Sequence, residues 1–250
     1  MKKYIILVVV LVIILIAFLY VPYMGNAKEI KYIVGIGDSI MAHENSYIKD
    51  HKGWEIFNLA VPGSTSRDWV DVRNTEAEVC VKDPSLTMAI CRGGFDLIDT
   101  ITITPDVVII QLGTNDSTGF FEPAPTTADD YENNISKLIS SLRLKWPKTK
   151  VLLVQPPRII GASKNVDLLL DSFRSRLETI ANEEKNTFIG LDLLPTPFSM
   201  FGDNIHPNQN GHEWAKKRIK CSLRNLNRIE KRGSIQASVK ATKCLGKISI

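Results

Sequence analysis

With 250 residues, 44% of them hydrophobic and 23% charged, the chain is long enough for one α/β domain of about 200 residues plus appendages and too apolar to be disordered. The formal net charge of +4 is unevenly placed: residues 28–219 carry 21 Lys/Arg against 26 Asp/Glu, while residues 220–250 carry eight against one. An acidic body with a basic tail, and no surface motif of interleaved basic and aromatic residues, argues against a nucleic-acid enzyme, and no nucleic-acid partner is expected.

Met1-Lys2-Lys3 precedes an unbroken apolar run that begins at Tyr4 and reaches Tyr20 or Tyr23. About 20 apolar residues suffice to cross a bilayer, and the two lysines favour the cytoplasmic side. Gly25-Asn26-Ala27 ends in small residues suited to cleavage, so a signal peptide is the alternative, but the run exceeds the usual signal core of about 7–15 residues. The expected layout is an N-terminal transmembrane helix or signal peptide over 1–27, a globular domain over 28–229 and a basic tail over 230–250. The domain then lies outside the cytoplasm, membrane-anchored or secreted. Four cysteines allow three pairings in an exported chain. Local bridges Cys80–Cys91 and Cys221–Cys244 are the expected ones, with four free thiols as the alternative in a poorly oxidising compartment. No Cys-x-x-Cys pattern or Cys/His cluster points to zinc.

Along the domain, the β-branched run Ile30 to Ile36 reads as a strand that stops at Gly37-Asp38-Ser39, with a helix over Ile40 to Ile48. Glu55 to Val61 is a second strand. It runs into the turn Pro62-Gly63-Ser64-Thr65, where Ser64 or Thr65 can cap a helix towards Ala77. Residues Glu78 to Gly94 read as an irregular insertion. Asp106 to Leu112 is a continuously apolar strand of the kind covered on both faces, and Gly113-Thr114-Asn115-Asp116 follows at once.

Tyr131, Ile135, Leu138, Ile139 and Leu142 recur at helical spacing within a helix from Ala128 to Lys145. Lys150 to Gln155 is the next strand, and Val166, Leu169, Leu170, Phe173, Leu177 and Ile180 mark another helix. A short strand over Thr187 to Ile189 leads through a loop to Asp203-Asn204-Ile205-His206-Pro207. The last helix turns Ala215, Ile219, Leu223 and Leu226 inward. Strands alternating with helices predict a parallel sheet with helices on both faces.

Strand ends of such a sheet share one carboxyl edge, the usual ligand edge. They bring Ser39, Gly63 and Asn115 there, and the late loop adds Asp203 and His206. Acyl transfer needs a nucleophile, a base, a group that orients the base, and donors for the oxyanion. Ser39 can attack, His206 can take its proton, and Asp203, three residues earlier, can reach back to the ring. Gly63 offers an unobstructed N–H and Asn115 a side-chain amide, while the Ser39 amide adds a third donor. Each residue alone also fits a turn or a loop cap; their order along one sheet edge is what points to chemistry. His43, His51 and His212 lack such placement. One histidine among oxygen donors makes a poor transition-metal set, which disfavours a metal phosphoesterase.

Together, Gly37-Asp38-Ser39, Gly63 within Asn58-Leu59-Ala60-Val61-Pro62-Gly63, Gly113-Thr114-Asn115-Asp116 and Asp203-x-x-His206-Pro207 resemble, in order, the four sequence blocks of the SGNH (or GDSL) hydrolases. The resemblance spans about Lys31 to Arg218, and Asn208 with Gly211-His212 resembles the usual continuation. It implies a flavodoxin-like three-layer α/β/α sandwich with a parallel central sheet. It also implies catalytic Ser39, Asp203 and His206, an oxyanion hole from Ser39, Gly63 and Asn115, and no cofactor or metal. An α/β-hydrolase elbow, Gly-x-Ser-x-Gly, is excluded because Met41 holds the second glycine position.

The expected activity is hydrolysis of a carboxylic ester through an acyl-enzyme, with a short acyl group such as acetyl on an extracytoplasmic glycan or small ester. A carbohydrate O-acyltransferase, a lysophospholipase or thioesterase, and a non-catalytic membrane-tethered binding module are the alternatives. Arg67, Trp69 and Phe120 are candidates to hold a sugar at the mouth, and core packing or surface exposure explains them equally well.

Overall fold

The first strand, β1 (Lys31–Gly37), is apolar on both faces, as a strand covered by helices on each side requires. In the computed structural model the described residues are 31–70, 80–81, 90–91, 94–119, 124–193 and 196–232. The expected membrane or signal segment, the stretch from 71 to Ala77, Phe120, Cys244 and the tail beyond 232 lie outside them.

After β1 come α1 (Ser39–Ala42), β2 (Trp54–Asn58), the short strands β3 (Cys80–Val81) and β4 (Ile90–Cys91), α2 (Gly94–Asp99) and β5 (Val107–Gln111). Then follow α3 (Thr114–Thr118), α4 (Ala128–Lys145), β6 (Lys150–Gln155), α5 (Lys164–Glu183), β7 (Thr187–Asp192), a 3-10 turn Phe198–Met200 and α6 (Gln209–Arg232). Five strands form one sheet in the order β2-β1-β5-β6-β7, every neighbouring pair parallel. Counting these five alone, the order is 2-1-3-4-5, a doubly wound sheet whose direction reverses beside β1.

Alternation along the strands divides the core in two. Val34 and Ile36, Val108 and Ile110, Val151 and Leu153 pack with Tyr131, Ile135, Leu138 and Leu142 of α4 and Leu170, Phe173 and Leu177 of α5. Ile33, Val107 and Ile109, Leu152 and Val154 face the other way, onto Ile40, Met41, Tyr47 and Ile48 and onto Ala215, Ile219, Leu223 and Leu226 of α6. The result is a parallel sheet with helices on both faces. Burying a large aliphatic side chain contributes about 1.5–3 kcal/mol, so these two layers hold the strand ends in place.

Two expected helices are shorter or absent among the described residues. The segment after Ser39 leaves helical geometry at His43, whose ψ of 143° ends α1, and it continues as turns through Tyr47 and Ile48. Residues 66–70 also make turns, with Thr65 N–H and Oγ–H both donating to Asp68, and the rest of that expected helix, to Ala77, lies outside the described residues. Within the expected insertion, β3 and β4 pair antiparallel with Cys80 opposite Cys91 in register, and α2 follows. Cys221 is disulfide-bonded, and Cys244, its expected partner, is outside the described residues. Among the described residues no helix is long and apolar enough to cross a membrane.

Candidate active site

Three neighbouring strands deliver three loops to one edge of the sheet. The Asp38 side chain caps α1 by accepting from Ile40 N–H at 2.9 Å, which places Ser39 in the first turn just beyond β1. Ser39 is partly exposed. Beyond β2, Val61-Pro62-Gly63-Ser64 closes with Ser64 N–H donating to Val61 O at 3.2 Å, and Gly63 has φ +84°. Proline followed by a left-handed residue is the pattern of a type II turn, and only glycine meets it without strain. Beyond β5, Asn115 sits in α3 with its side chain partly exposed.

The fourth loop, after β7, is braced by its own backbone. Phe201 and Pro207 form an isolated bridge, Gly202 N–H donates to His206 O, and Asn208 N–H donates to Met200 O, each at 2.8 Å. It also touches the loop after β6, where Ile160 N–H donates to Asn204 O at 2.8 Å. That neighbouring loop is held by the buried Arg174, which donates to Pro156 O from two guanidinium nitrogens at 3.1 and 2.8 Å.

Across 167 residues of sequence, Ser39 Oγ lies 2.9 Å from His206 Nε2. His206 Nδ1 is 2.8 Å from Asp203 Oδ2, and Asp203 Oδ1 accepts the backbone N–H of Ile205 and of His206 at 2.6 Å each. Its slight burial works to raise the Asp203 pKa, but the His206 N–H and ring and the Ile205 N–H outweigh it and bring it to about 2. An ionised carboxylate only accepts, so Nδ1 carries the ring proton and the lone pair of Nε2 faces the Ser39 hydroxyl. The arrangement can move a proton from Ser39 to the ring.

Donors surround the same edge. Asn115 Nδ2 gives one hydrogen to Ser64 O at 2.9 Å, which fixes the amide's orientation and leaves its second hydrogen for a ligand. The N–H groups of Ser39 and Gly63 have no protein acceptor among the described residues. The expected residues Ser39, Gly63, Asn115, Asp203 and His206 therefore all lie at this edge or on the loop that reaches it. Trp69 does not: it is 1% exposed in the core and donates to Ser64 Oγ at 3.1 Å, whereas Arg67 is exposed.

Two buried carboxylates lie beneath. Burial raises the Asp38 pKa to about 7 despite hydrogen bonds from Ile40 N–H and Gln111 Nε2. Burial likewise raises Asp116 to about 6, against donors from Ser66 and Thr126. With its oxygens turned to Ile40 and Gln111, Asp38 is not disposed to hold a metal. His212 is buried and stacks on His43 at 4.8 Å; burial, then the nearby His43 and His206, lower it to about 4. Ser64, Ser66, Gln111 and Asn134 also support the site. Sequence reading gave Ser64 only as a possible helix cap and had no signal for Ser66, Gln111 or Asn134.

The sequence matches the GDSL-like lipase/acylhydrolase family over residues 36–214. No curated protein matches it. Among solved structures it is similar to a member of the lipolytic protein G-D-S-L family from Veillonella parvula, with TM-score 0.55, 15% identity, and 75% of this chain and 95% of that one covered. It is also similar to a catalytic mutant of an acetylxylan esterase from Geobacillus stearothermophilus, with TM-score 0.57, 19% identity, and coverage of 77% and 94%. A third is a carbohydrate esterase family 2 enzyme from Corynascus thermopiles (Myceliophthora fergusii), with TM-score 0.58, 17% identity, and coverage of 89% and 68%. At these identities the three structures speak to the fold alone, and it is the family match over most of the domain that makes this chain a member of the GDSL-like lipase/acylhydrolase family, an SGNH-type esterase.

Proposed function

We propose that this esterase removes a short acyl group, acetyl foremost, from an extracytoplasmic glycan or small ester, by way of an acyl-enzyme on Ser39. The observation that carries the reading is the continuous hydrogen-bonded line Ser39 Oγ–His206–Asp203, at the sheet edge where the N–H groups of Ser39 and Gly63 have no acceptor among the described residues. Ser39 Oγ attacks the ester carbonyl carbon while His206 Nε2 takes its proton. The oxyanion accepts from the N–H groups of Ser39 and Gly63 and from Asn115 Nδ2. Collapse breaks the bond to the alcohol, which leaves with the proton held by His206. Water then adds to the acyl carbon, His206 takes its proton, and Ser39 departs as the free hydroxyl with the carboxylic acid.

Hydrolysis is favoured over transfer to a sugar hydroxyl by the openness of the base: the side chains of His206 and Asp203 are 39% and 59% exposed, so water reaches them freely. The acetyl and glycan preference draws support from the fold shared with the acetylxylan and family 2 carbohydrate esterases. The apolar run behind Lys2 and Lys3 supports a membrane anchor that holds the domain outside the cytoplasm.

The test is hydrolysis of p-nitrophenyl esters of increasing chain length, with labelling by a fluorophosphonate. The wild type is expected to prefer acetate and to label at residue 39, and Ser39→Ala to lose labelling and about 10⁴-fold or more in kcat. Activity retained in Ser39→Ala overturns the mechanism.

A further inference from the structure

Ser66 and Asp116 lie 50 residues apart in sequence and are both almost wholly buried, at 0% and 1% exposure. Ser66 N–H donates to both Asp116 oxygens at 3.0 Å, and Ser66 Oγ–H donates to Asp116 Oδ1 at 2.5 Å. From α4, Asn134 Nδ2 donates to Ser66 Oγ at 3.1 Å, which turns the hydroxyl hydrogen towards the carboxylate. Burying a carboxylate is costly, and simple packing between two loops needs no charge there. The arrangement calls for an explanation in geometry.

Each partner is close in sequence to an oxyanion donor. Ser66 is three residues past Gly63, and Asp116 directly follows Asn115. A second tie already joins the same two segments, Asn115 Nδ2 to Ser64 O. One tie between two loops is a hinge; two ties a few ångströms apart form a closed ring that cannot pivot. The turn is also fastened to the end of β1, through Val61 N–H at 2.9 Å and Ser64 Oγ at 3.1 Å, both donating to Gly37 O. The Asp116 tie fastens its other side.

We propose that Ser66 and Asp116 are positioning residues that latch the Gly63 turn to α3, so that the Gly63 N–H and the Asn115 amide meet the oxyanion at a fixed spacing. The inference rests on the serine-esterase reading. Neither residue touches the reacting atoms. Loss of the latch lets the two donors drift apart, and this weakens the tetrahedral intermediate while leaving ground-state binding of the ester intact.

The experiment measures kcat and KM on p-nitrophenyl acetate for Ser66→Ala, Asp116→Asn and Asn134→Ala, normalised to folded protein by circular dichroism. Inhibition by a boronic acid, which forms a tetrahedral adduct on the serine, is measured alongside. Asp116→Asn, which turns an amide N–H against the Ser66 N–H, is expected to lose about 10- to 100-fold in kcat with KM held within about two-fold and the boronate Ki raised by a similar factor. Ser66→Ala, which keeps the backbone N–H bonds, is expected to lose less in the same pattern. Asn134→Ala, which removes only the outer bond and keeps the core, is expected to lose a few-fold.

Folded variants with wild-type kcat overturn the latch. So does a loss explained wholly by a smaller folded fraction, or one that falls on KM with the boronate Ki unchanged. Ser39→Ala in the same series separates the two ideas. Hydrolysis surviving there overturns the esterase reading and the latch with it, whereas hydrolysis lost there but undiminished in the other variants overturns the latch alone.

Discussion

Replacing Asp38 with asparagine removes a carboxylate that the fold holds at 0% exposure, directly before Ser39. Burial raises its pKa from 3.8 to about 7. A raised carboxylate contributes stability that is full below the unfolded value and is lost as pH rises through the folded one. Some three pKa units correspond to about 4 kcal/mol, lost between pH 4 and pH 7. Asparagine can keep the bond from Ile40 N–H. If the Gln111 amide turns over, the asparagine amide can also donate to Gln111 Oε1, which is buried without a partner.

The assay is urea unfolding of both proteins at half-unit steps from pH 4 to pH 8. Other groups titrate in this window. Asp116, raised to about 6, has the same sign as Asp38, while His212, lowered to about 4, works the other way, its contribution full above 6.5 and lost as pH falls. Both are present in the two proteins, so their own contributions largely cancel in the difference curve, which reports residue 38 together with its coupling to Asp116 and His206. Asp38→Asn should gain on the wild type by about 4 kcal/mol across the window, roughly 1 M in urea midpoint. Parallel curves would refute the claim that this carboxylate is buried at a cost.

Two more substitutions address the late loop. Asp203→Ala leaves His206 Nδ1 and the N–H groups of Ile205 and His206 without their acceptor, and kcat on p-nitrophenyl acetate is expected to fall about 10⁴-fold. Because the Asp203 pKa is lowered to about 2, its stabilising effect is complete above 3.8 and lost as pH falls towards 2, so the stability deficit of the variant in urea unfolding should shrink between pH 4 and pH 2; a deficit unchanged over that range argues against the assignment. Gly211→Ala places a methyl 2.8 Å from Pro207 Cβ and against the Met200 carbonyl, at the joint between α6 and the loop. Overpacking of this kind costs about 1–3 kcal/mol, and thermal melting with kcat should show both stability and turnover reduced; an unchanged protein would mean that the joint is slack.

What could be read from the sequence was what local pattern controls. The bounds of α4, Ala128–Lys145, and of β6, Lys150–Gln155, follow from an apolar stripe capped by the Thr127 hydroxyl on Asp130 N–H, and from an apolar run stopped at Pro156. The helix expected over Ile40 to Ile48 stops at Ala42 for a physical reason. Ile40, Met41, Tyr47 and Ile48 are all buried in one core, and their seven-residue spacing imitates two helical turns. The chain reaches the same burial by turns, with Ser46 N–H donating to His43 O and Asn45 N–H to His43 Nδ1. In the same way Thr65, suited to cap a helix, binds Asp68 within a turn. The five candidate site residues were legible as a set, because each follows a strand or falls in a short polar motif. The pairing of Ser66 with Asp116 was not, since nothing local to either residue marks a partner 50 positions away.

The proposed site is divided between two supports. Ser39, Gly63 and Asn115 follow β1, β2 and β5, three adjacent strands whose spacing is set by the parallel ladder and by core on both faces. Adjacent strands are about 4.8 Å apart, so donors on neighbouring loops can surround an atom the size of an oxyanion without any long excursion of chain. Strand order reverses beside β1, the place where open sheets of this kind bind ligands. His206 and Asp203 instead sit on a self-braced loop after β7, two strands away from β5, with Ile160 N–H on Asn204 O as a tie to the neighbouring loop. A proton can pass over a hydrogen bond that shortens or lengthens slightly, but stabilisation of a developing charge falls off as soon as its donors drift. In the proposed mechanism the part of the molecule packed on both faces therefore carries the donors, and the more exposed loop carries the base.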